Sequence, residues 1–385
     1  MIRQTAAILV NQYHELNSRK LFWISTGLSA LVVLAFAVIG VKDGFLSIAI
    51  WKTPIAADAI GLTTAAVYKI LFLQFGVGLW LAWLATILAL VTTAGMIPDF
   101  ITSGSIDLAL SKPIGRVRLF LTKYTAGLLF VALQVAAFSL ASFLVLGVRG
   151  GAWEPAIFLA IPLVIVFFSY LFSVCVLLGL LTRSTIAALL LTLLFWFVLF
   201  ALNATDLSLV GYQRSAEQRV ERLEQRLEDV RADAERDPET MLDAAKQAFA
   251  LSTPDERISG IEEQLAEARK EAQSLARWHR PFYIAKTMLP KTTETIGLLR
   301  RALVEFAELP EFSGDRAPPP AFITEDMTEQ ERARFEQDFA EGQERQRLVL
   351  EELSARSISW VLGSSLAFEA FILALASWIF YRRDF

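Results

Sequence analysis

Apolar and polar positions are segregated along the chain rather than mixed. Apolar runs at about 21–41, 71–96, 119–148, 155–181, 184–203 and 358–381 each approach or exceed the roughly 20 residues that a helix needs to cross about 30 Å of hydrocarbon at about 1.5 Å per residue. They predict six membrane spans. Between the fifth and the sixth lies a polar stretch, about 204–357, whose length makes it a domain rather than a loop. Within it Val220, Leu223, Leu227, Val230 and Ala234 alternate by three and four positions, and Ile258, Ile261, Leu265, Ala268, Ala272 and Leu275 do so again. Both are helical stripes of coiled-coil type. Asp237-Pro238 and Thr253-Pro254-Asp255 punctuate them, and Pro254 suits a first helical turn.

This pattern predicts an antiparallel hairpin whose arms meet through Leu223, Leu227, Ile261 and Leu265. Two helices of an ordinary helical domain would show the same stripes. Trp278-His279-Arg280-Pro281 follows, then a mixed apolar stretch from Phe282 to Leu309 that Pro290 divides into two short amphipathic pieces. These are too polar to span and suit the outer membrane surface or a cap over a translocation path. Asp315 to Pro320, with its run of prolines, reads as a stiff linker. A charged helix, about Thr328 to Arg356, then leads into the last span. The expected fold is all-α: six transmembrane helices with an extracytoplasmic helical domain between the fifth and sixth.

Orientation follows from the Lys and Arg residues of the short loops, which are retained on the cytoplasmic side. One set of loops holds Arg3, Arg19, Lys20, Lys112, Arg116, Arg118, Arg183, Arg382 and Arg383; the other holds Lys42, Lys52, Lys69 and Arg149 beside Asp43, Asp58 and Glu154. Both termini are therefore expected in the cytoplasm, with 204–357 outside. Residues 1–20 are too polar for a cleaved signal, so 21–41 is expected to stay as the first span.

Of 385 residues, 55% are hydrophobic and 20% charged, which fits segregation into apolar spans and a polar domain. The net charge of -4 comes without any Lys and Arg block interleaved with aromatics, so nucleic acid is not an expected partner. The lone cysteine, Cys175, lies in an apolar run and rules out an intrachain disulfide; His14 and His279 have no ligand-spaced neighbours, and no metal site is expected. No hydrolase grouping is present, and the acid pairs Glu262-Glu263 and Glu351-Glu352 fall on solvated helix faces. Among the polar groups inside spans are Gln74, Gln134, Ser169, Ser173 and Glu369. An ionised acid in hydrocarbon costs several kcal/mol and usually faces protein or water. Gln134 and Glu369 are thus candidates for an intramembrane polar path, and Glu369 equally suits a hydrogen bond between helices in its protonated form.

The most specific segment is Ile97-Pro98-Asp99-Phe100-Ile101-Thr102-Ser103-Gly104-Ser105-Ile106-Asp107-Leu108-Ala109-Leu110-Ser111-Lys112-Pro113-Ile114-Gly115-Arg116. It resembles the segment after the second span of type 2 ABC permeases, where a small residue, Ile and an acid precede Leu and a Ser-Lys-Pro-x-x-Arg turn. Glu15-Leu16-Asn17-Ser18-Arg19-Lys20 resembles the amphipathic entry helix of that family, with Glu15, Arg19 and Lys20 before the first span. Gly179 to Thr185 resembles its tight turn between spans four and five, and Phe380-Tyr381-Arg382-Arg383-Asp384-Phe385 its closing signature. The subgroup associated with multicopper-enzyme maturation is the most similar, Met288-Leu289-Pro290 included. The outer insertion, about 205–280, departs from it.

The resemblance implies a cytoplasmic entry helix (1–20), spans one to five (21–203) with a coupling segment at 97–118, an outer domain (204–357), and a sixth span with the C-terminus (358–385). It further implies that Ser105, Ile106, Asp107, Leu108, Ser111, Lys112, Pro113 and Arg116 couple to a separate ATPase present in two copies. No Gly-x-x-x-x-Gly-Lys-Ser/Thr phosphate loop occurs in the chain, so ATP and Mg are expected on that partner and no cofactor or enzyme activity in this chain. A second permease chain, identical or related, completes the expected pathway in the lipid of an inner or plasma membrane, and the family favours export. The alternative is a mechanotransmitter that moves its outer domain to regulate an envelope partner and transports nothing.

Overall fold

The computed structural model describes residues 20–42, 45–48, 51–56, 64–102, 115–151, 153–236, 254–306 and 328–383. These form two units: Met1–Phe200 with Met288–Ser313 and Ser357–Phe385, and Ala201–Thr287 with Gly314–Arg356. The described residues are almost entirely helical. Five helices among them are long and apolar enough to cross a membrane: Tyr68–Thr102, Arg116–Gly150, Pro155–Thr182, Thr185–Ala232 and Ile358–Arg382. The chain is a membrane protein.

The first apolar run departs from expectation. Helix α1 is Lys20–Val38, and the chain then turns into an antiparallel sheet of β1 (Ile39–Lys42), β2 (Phe45–Ile48) and β3 (Trp51–Ala56). Apart from this small sheet the described residues are helical as expected, and the expected first span is not among the five: the apolar part of α1, Phe22–Val38, is shorter than they are. Gly40 between β-branched Ile39 and Val41 weakens the helix and favours strand. β1 pairs Ile39 with Ile48 and Lys42 with Phe45, leaving the two residues Asp43-Gly44 to connect them.

The second long helix is a composite: α2 (Thr64–Leu71), a π-helical stretch (Phe72–Ala85), α3 (Thr86–Thr93), a short 3₁₀ turn (Ala94–Met96) and α4 (Pro98–Thr102). In the wide stretch Thr86 Oγ1 donates to the Leu81 carbonyl, five residues back, at 2.8 Å. Helix α5 (Arg116–Gly150) ends at Gly151, whose left-handed φ of 67° suits a residue without Cβ. After a 3₁₀ turn at Pro155–Leu159, α6 (Ala160–Thr182) forms the centre of the membrane unit. It packs against α5, against α9 (Thr292–Phe306) and against α11 (Ile358–Arg382). Phe167, Phe168, Tyr170, Leu171 and Phe172 are all buried. Gly127 of α5 permits this closeness, because a Cβ there would stand 2.7 Å from the Phe172 ring. Leu129, Leu133, Leu140 and Leu144 of α5 are exposed on its other side, where acyl chains replace water.

Helix α9, expected at the outer membrane surface or as a cap over a translocation path, has one face packed in the membrane unit. Leu298, Leu299 and Leu303 are buried, and the helix packs on α6, on the π-helical stretch and on α11. Its amphipathic pattern is that of a helix with one face in the bundle.

In the second unit, α7 (Thr185–Arg236) runs on past the expected end of the fifth span, and α8 is Pro254–Met288. The expected separation of Phe282–Met288 from the second arm is corrected: α8 continues through Pro281. Proline removes one backbone bond from a helix interior, but His279 and Lys286 on either side both reach Asp206. Leu223, Leu227, Leu265 and Ala268 form a buried cluster, with Val220, Ile258 and Ile261 packed on it. Arg231 meets Glu262 at 2.6 Å, Glu224 meets Arg269 at 2.6 Å and Arg219 meets Glu271 at 3.9 Å. As position falls along α7 it rises along α8, so the arms are antiparallel. These exposed pairs fix register more than they stabilise. Helix α10 (Glu329–Ala355) completes the unit, with Glu344 3.6 Å from Arg222.

Candidate functional site

Of the residues expected to couple to an ATPase, Ser105, Ile106, Asp107, Leu108, Ser111, Lys112 and Pro113 lie outside the described residues, as do Glu15 and Arg19. What the structure describes is the frame on which that segment is mounted. On its near side, Pro98 packs so closely on Gly179 that a Cβ at 179 would lie 2.9 Å from the proline ring. The neighbouring Asp99 accepts a hydrogen bond from Thr185 Oγ1 at 2.9 Å. Lys123 Nζ lies 3.9 Å above the Phe100 ring, a cation–π contact that anchors α4 to α5. On the far side Arg116, the first residue of α5, donates to the carbonyls of Tyr381 at 3.2 Å and Arg383 at 3.0 Å. Arg383 in turn donates to the Leu180 carbonyl.

Arg116 therefore caps the C-terminus of α11, where carbonyls lack helical partners and cations are favoured. The expectation gave it an outward charge; in the structure its guanidinium serves the bundle. The turn between α6 and α7 closes the frame. Arg183 adopts a left-handed φ of 54° and its N–H bonds to the Gly179 carbonyl at 3.0 Å, while Ser184 Oγ accepts from Ala187 N at 3.3 Å. Five helix ends, those of α4, α5, α6, α7 and α11, are thus tied together around the start and end of residues 103–114. Lys20 is the exposed first residue of α1.

The two intramembrane polar candidates are not brought together. Gln134 Nε2 donates to Ser25 Oγ at 2.6 Å, beside a cavity of about 20 Å³ that Trp80, Thr86 and Val164 also line. Glu369 lies elsewhere: Oε1 accepts from Tyr124 Oη at 2.7 Å and Oε2 from Ser169 Oγ at 2.7 Å, which joins α11 to α5 and α6. Tyr124 and Gln134 are ten residues apart on α5, about 15 Å of helix. Each polar group is satisfied by its own neighbours.

A centre that the sequence reading passed over lies in the second unit. Asp206 is fully buried; Lys286 Nζ donates to Oδ2 at 2.6 Å, His279 Nε2 lies 3.0 Å from Oδ1, and Arg356 Nη2 lies 3.6 Å from Oδ2. One carboxylate thereby ties α7, α8 and the residue after α10. Two signals in the sequence bear on it: Asp206 follows an apolar run with no helix breaker until Gly211, and Lys286 and His279 are spaced to share one face of a helix. Among the described residues no group of three or more His, Cys, Asp or Glu side chains is placed to hold a metal ion. No protein-family model matches the chain, and no curated protein or solved structure matches it.

Proposed function

We propose that this chain is the membrane-spanning permease subunit of an ATP-driven exporter that resembles the type 2 ABC class, working with a separate ATPase and a second permease chain. The observation that carries the reading is the segment Ser105-Ile106-Asp107-Leu108 to Ser111-Lys112-Pro113-x-x-Arg116, set between α4 and α5. Its mounting supports the reading physically. A segment that transmits work from a soluble partner must be fixed at both ends to the helices it moves. Pro98, Asp99 and Phe100 tie one end to α6, α7 and α5, and Arg116 ties the other to α11.

The test is pull-down and ATPase stimulation in the reconstituted pair, after co-purification with mass spectrometry has identified the ATPase. Reversing one member of a desolvated interfacial charge pair costs about 2–5 kcal/mol. Asp107→Arg is therefore expected to insert normally and to lower ATPase binding or stimulation by about tenfold or more. Lys112→Ala at a rim position should do less. Wild-type behaviour of Asp107→Arg would remove the segment from the mechanism.

One observation favours the second reading, a mechanotransmitter that transports nothing: Gln134 pairs with Ser25 and Glu369 with Tyr124, which lies about 15 Å from Gln134 along α5, so the two are not strung along one path. Uptake or efflux by vesicles containing the complex separates the two, since the mechanotransmitter would hydrolyse ATP through its partner without moving solute.

A further inference from the structure

Glu369 is 8% exposed in an apolar helix of the membrane unit and receives one hydroxyl on each carboxyl oxygen. Each of those hydroxyls has a second acceptor in reach. Tyr124 Oη is 3.1 Å from the Ser169 carbonyl as well as 2.7 Å from Oε1, and Ser169 Oγ is 2.8 Å from the Val166 carbonyl as well as 2.7 Å from Oε2. A hydroxyl owns one proton, so it serves one of its two acceptors at a time.

Counting protons shows what this arrangement permits. With Glu369 ionised, both hydroxyls donate to it and the buried charge keeps two hydrogen bonds. With a proton on Oε2, the acid O–H donates to Ser169 Oγ, Ser169 turns its own proton to the Val166 carbonyl, and Tyr124 continues to donate to Oε1. No polar atom of the trio loses its partner in either state, and only hydroxyl rotors move. A carboxyl held in one state is built differently, with fixed cations or N–H donors for the anion, or an acceptor alone for the acid. We propose that Glu369 is a reversible proton-binding site of the membrane unit, with Tyr124 and Ser169 as the hydroxyls that accommodate both forms.

Further polar groups lie near the trio, and Tyr170 Oη is buried without a hydrogen-bond partner. Ser365 is four residues before Glu369 on the same face of α11, about 6 Å away along the axis. Its hydroxyl accepts from Lys291 N at 2.9 Å, and Thr295 Oγ1 donates to the Lys291 carbonyl at 2.8 Å. The titratable groups facing Glu369 are Tyr124 from α5 and Tyr170 from α6. From the neighbourhood of α9, Lys291 is turned to Ser364 at 2.5 Å and to the Trp360 ring at 4.1 Å, and Glu294 is the other buried acid among the described residues of the unit. Lys123 of α5 is engaged with Phe100. Uptake is one proton from water forming one O–H bond, and release is its reverse.

Infrared difference spectroscopy of the full chain in lipid nanodiscs, alkaline against acidic buffer, tests this without any ATPase and so independently of the transporter reading. The carbonyl band of a protonated carboxylic acid is expected on acidification. It should move with ¹³C-glutamate labelling, vanish in Glu369→Gln and persist in Glu294→Gln. Tyr124→Phe should raise its frequency, because a carbonyl that loses a hydrogen bond stiffens; this variant keeps the test open if Glu369→Gln does not insert. An acid band that ignores pH, or one untouched by Glu369→Gln and Tyr124→Phe, overturns the proposal.

Discussion

Asp206 and Glu369 are both buried acids, and their neighbours give them opposite characters. Glu369 meets neutral hydroxyls that can rotate; Asp206 meets Lys286, Arg356 and His279. In the second case the carboxylate and its cations desolvate together, so the arrangement holds only while all partners are present. Breaking a buried pair by removing one member costs about 3–5 kcal/mol, since the charge left behind has lost its compensation. Asp206→Asn is therefore expected to destabilise the second unit by about that amount, and Asp206→Asn with Lys286→Met by less than the two single changes together. Denaturation of the full chain in detergent, followed by proteolysis of the Ala201–Thr287 region, measures both. A melting profile identical to wild type for the single variant would show that the cluster contributes nothing to stability.

At the scale of elements, α10 begins with a capping box. Thr328 Oγ1 accepts from Glu331 N at 3.4 Å, and the Glu331 carboxylate accepts from Thr328 N at 3.0 Å and from Thr328 Oγ1 at 2.7 Å. The Thr328 hydroxyl and backbone N–H hold the Glu331 carboxyl below its ordinary value. A folded-state value that is lowered means stability present above the unfolded carboxyl's pKa and lost as pH falls through the folded one. The first turn of α10 should therefore exchange its amides faster, relative to the intrinsic rate, as the buffer is acidified past the usual carboxylate range. Thr328→Ala should abolish that dependence and leave the turn frayed at neutral pH as well. Hydrogen exchange read by mass spectrometry decides; a pH-independent first turn in the wild type would mean that the box is not formed in solution.

Much at this scale was legible. The apolar runs marked every long helix of the membrane unit, and the three-and-four spacing of Leu223, Leu227 and Leu265 marked the arms of the second unit. Three features were missed, each for a definable reason. Asp43-Gly44 between apolar flanks is a hairpin signal, but a run long enough to span drew the helix across Gly40. Pro281 reads locally as a breaker, whereas α8 keeps its path because its neighbours in sequence share one buried carboxylate on α7. The partners of α9 inside the bundle were not foreseen, because amphipathicity does not say what covers the apolar face. Glu369 stood out as an acid in a span, yet its partner Tyr124 did not, since an aromatic in a span is ordinary until the fold aims its hydroxyl at something.

For the whole molecule, where the arginines gather yields a prediction of orientation. Arg116 and Arg118 start α5, Arg183 sits in the α6–α7 turn, and Arg382 and Arg383 end α11; Arg116 bonds to carbonyls at the end of α11, and Arg383 bonds to the Leu180 carbonyl near that turn. Arg382 also lies 4.7 Å from the Trp378 ring, a basic–aromatic pairing suited to a membrane interface. One end of the membrane unit therefore concentrates positive charge. At Lys69 the charge is matched instead by Glu154 at 3.1 Å. Because Lys and Arg are retained on the cytoplasmic side, the arginine end should face the cytoplasm. On that expectation residues beyond Asn203 should lie outside, and α11 should return the chain inward. Cys175, the one native cysteine, is buried, which makes the unmodified chain a nearly silent background for labelling. Gln225→Cys, at an exposed position of α7, is expected to react with a membrane-impermeant maleimide in intact cells. Ser103→Cys should react only after the membrane is opened. The reverse pattern would put residues 103–114 on the side without ATP, and the proposed coupling to a cytoplasmic ATPase would then be physically impossible.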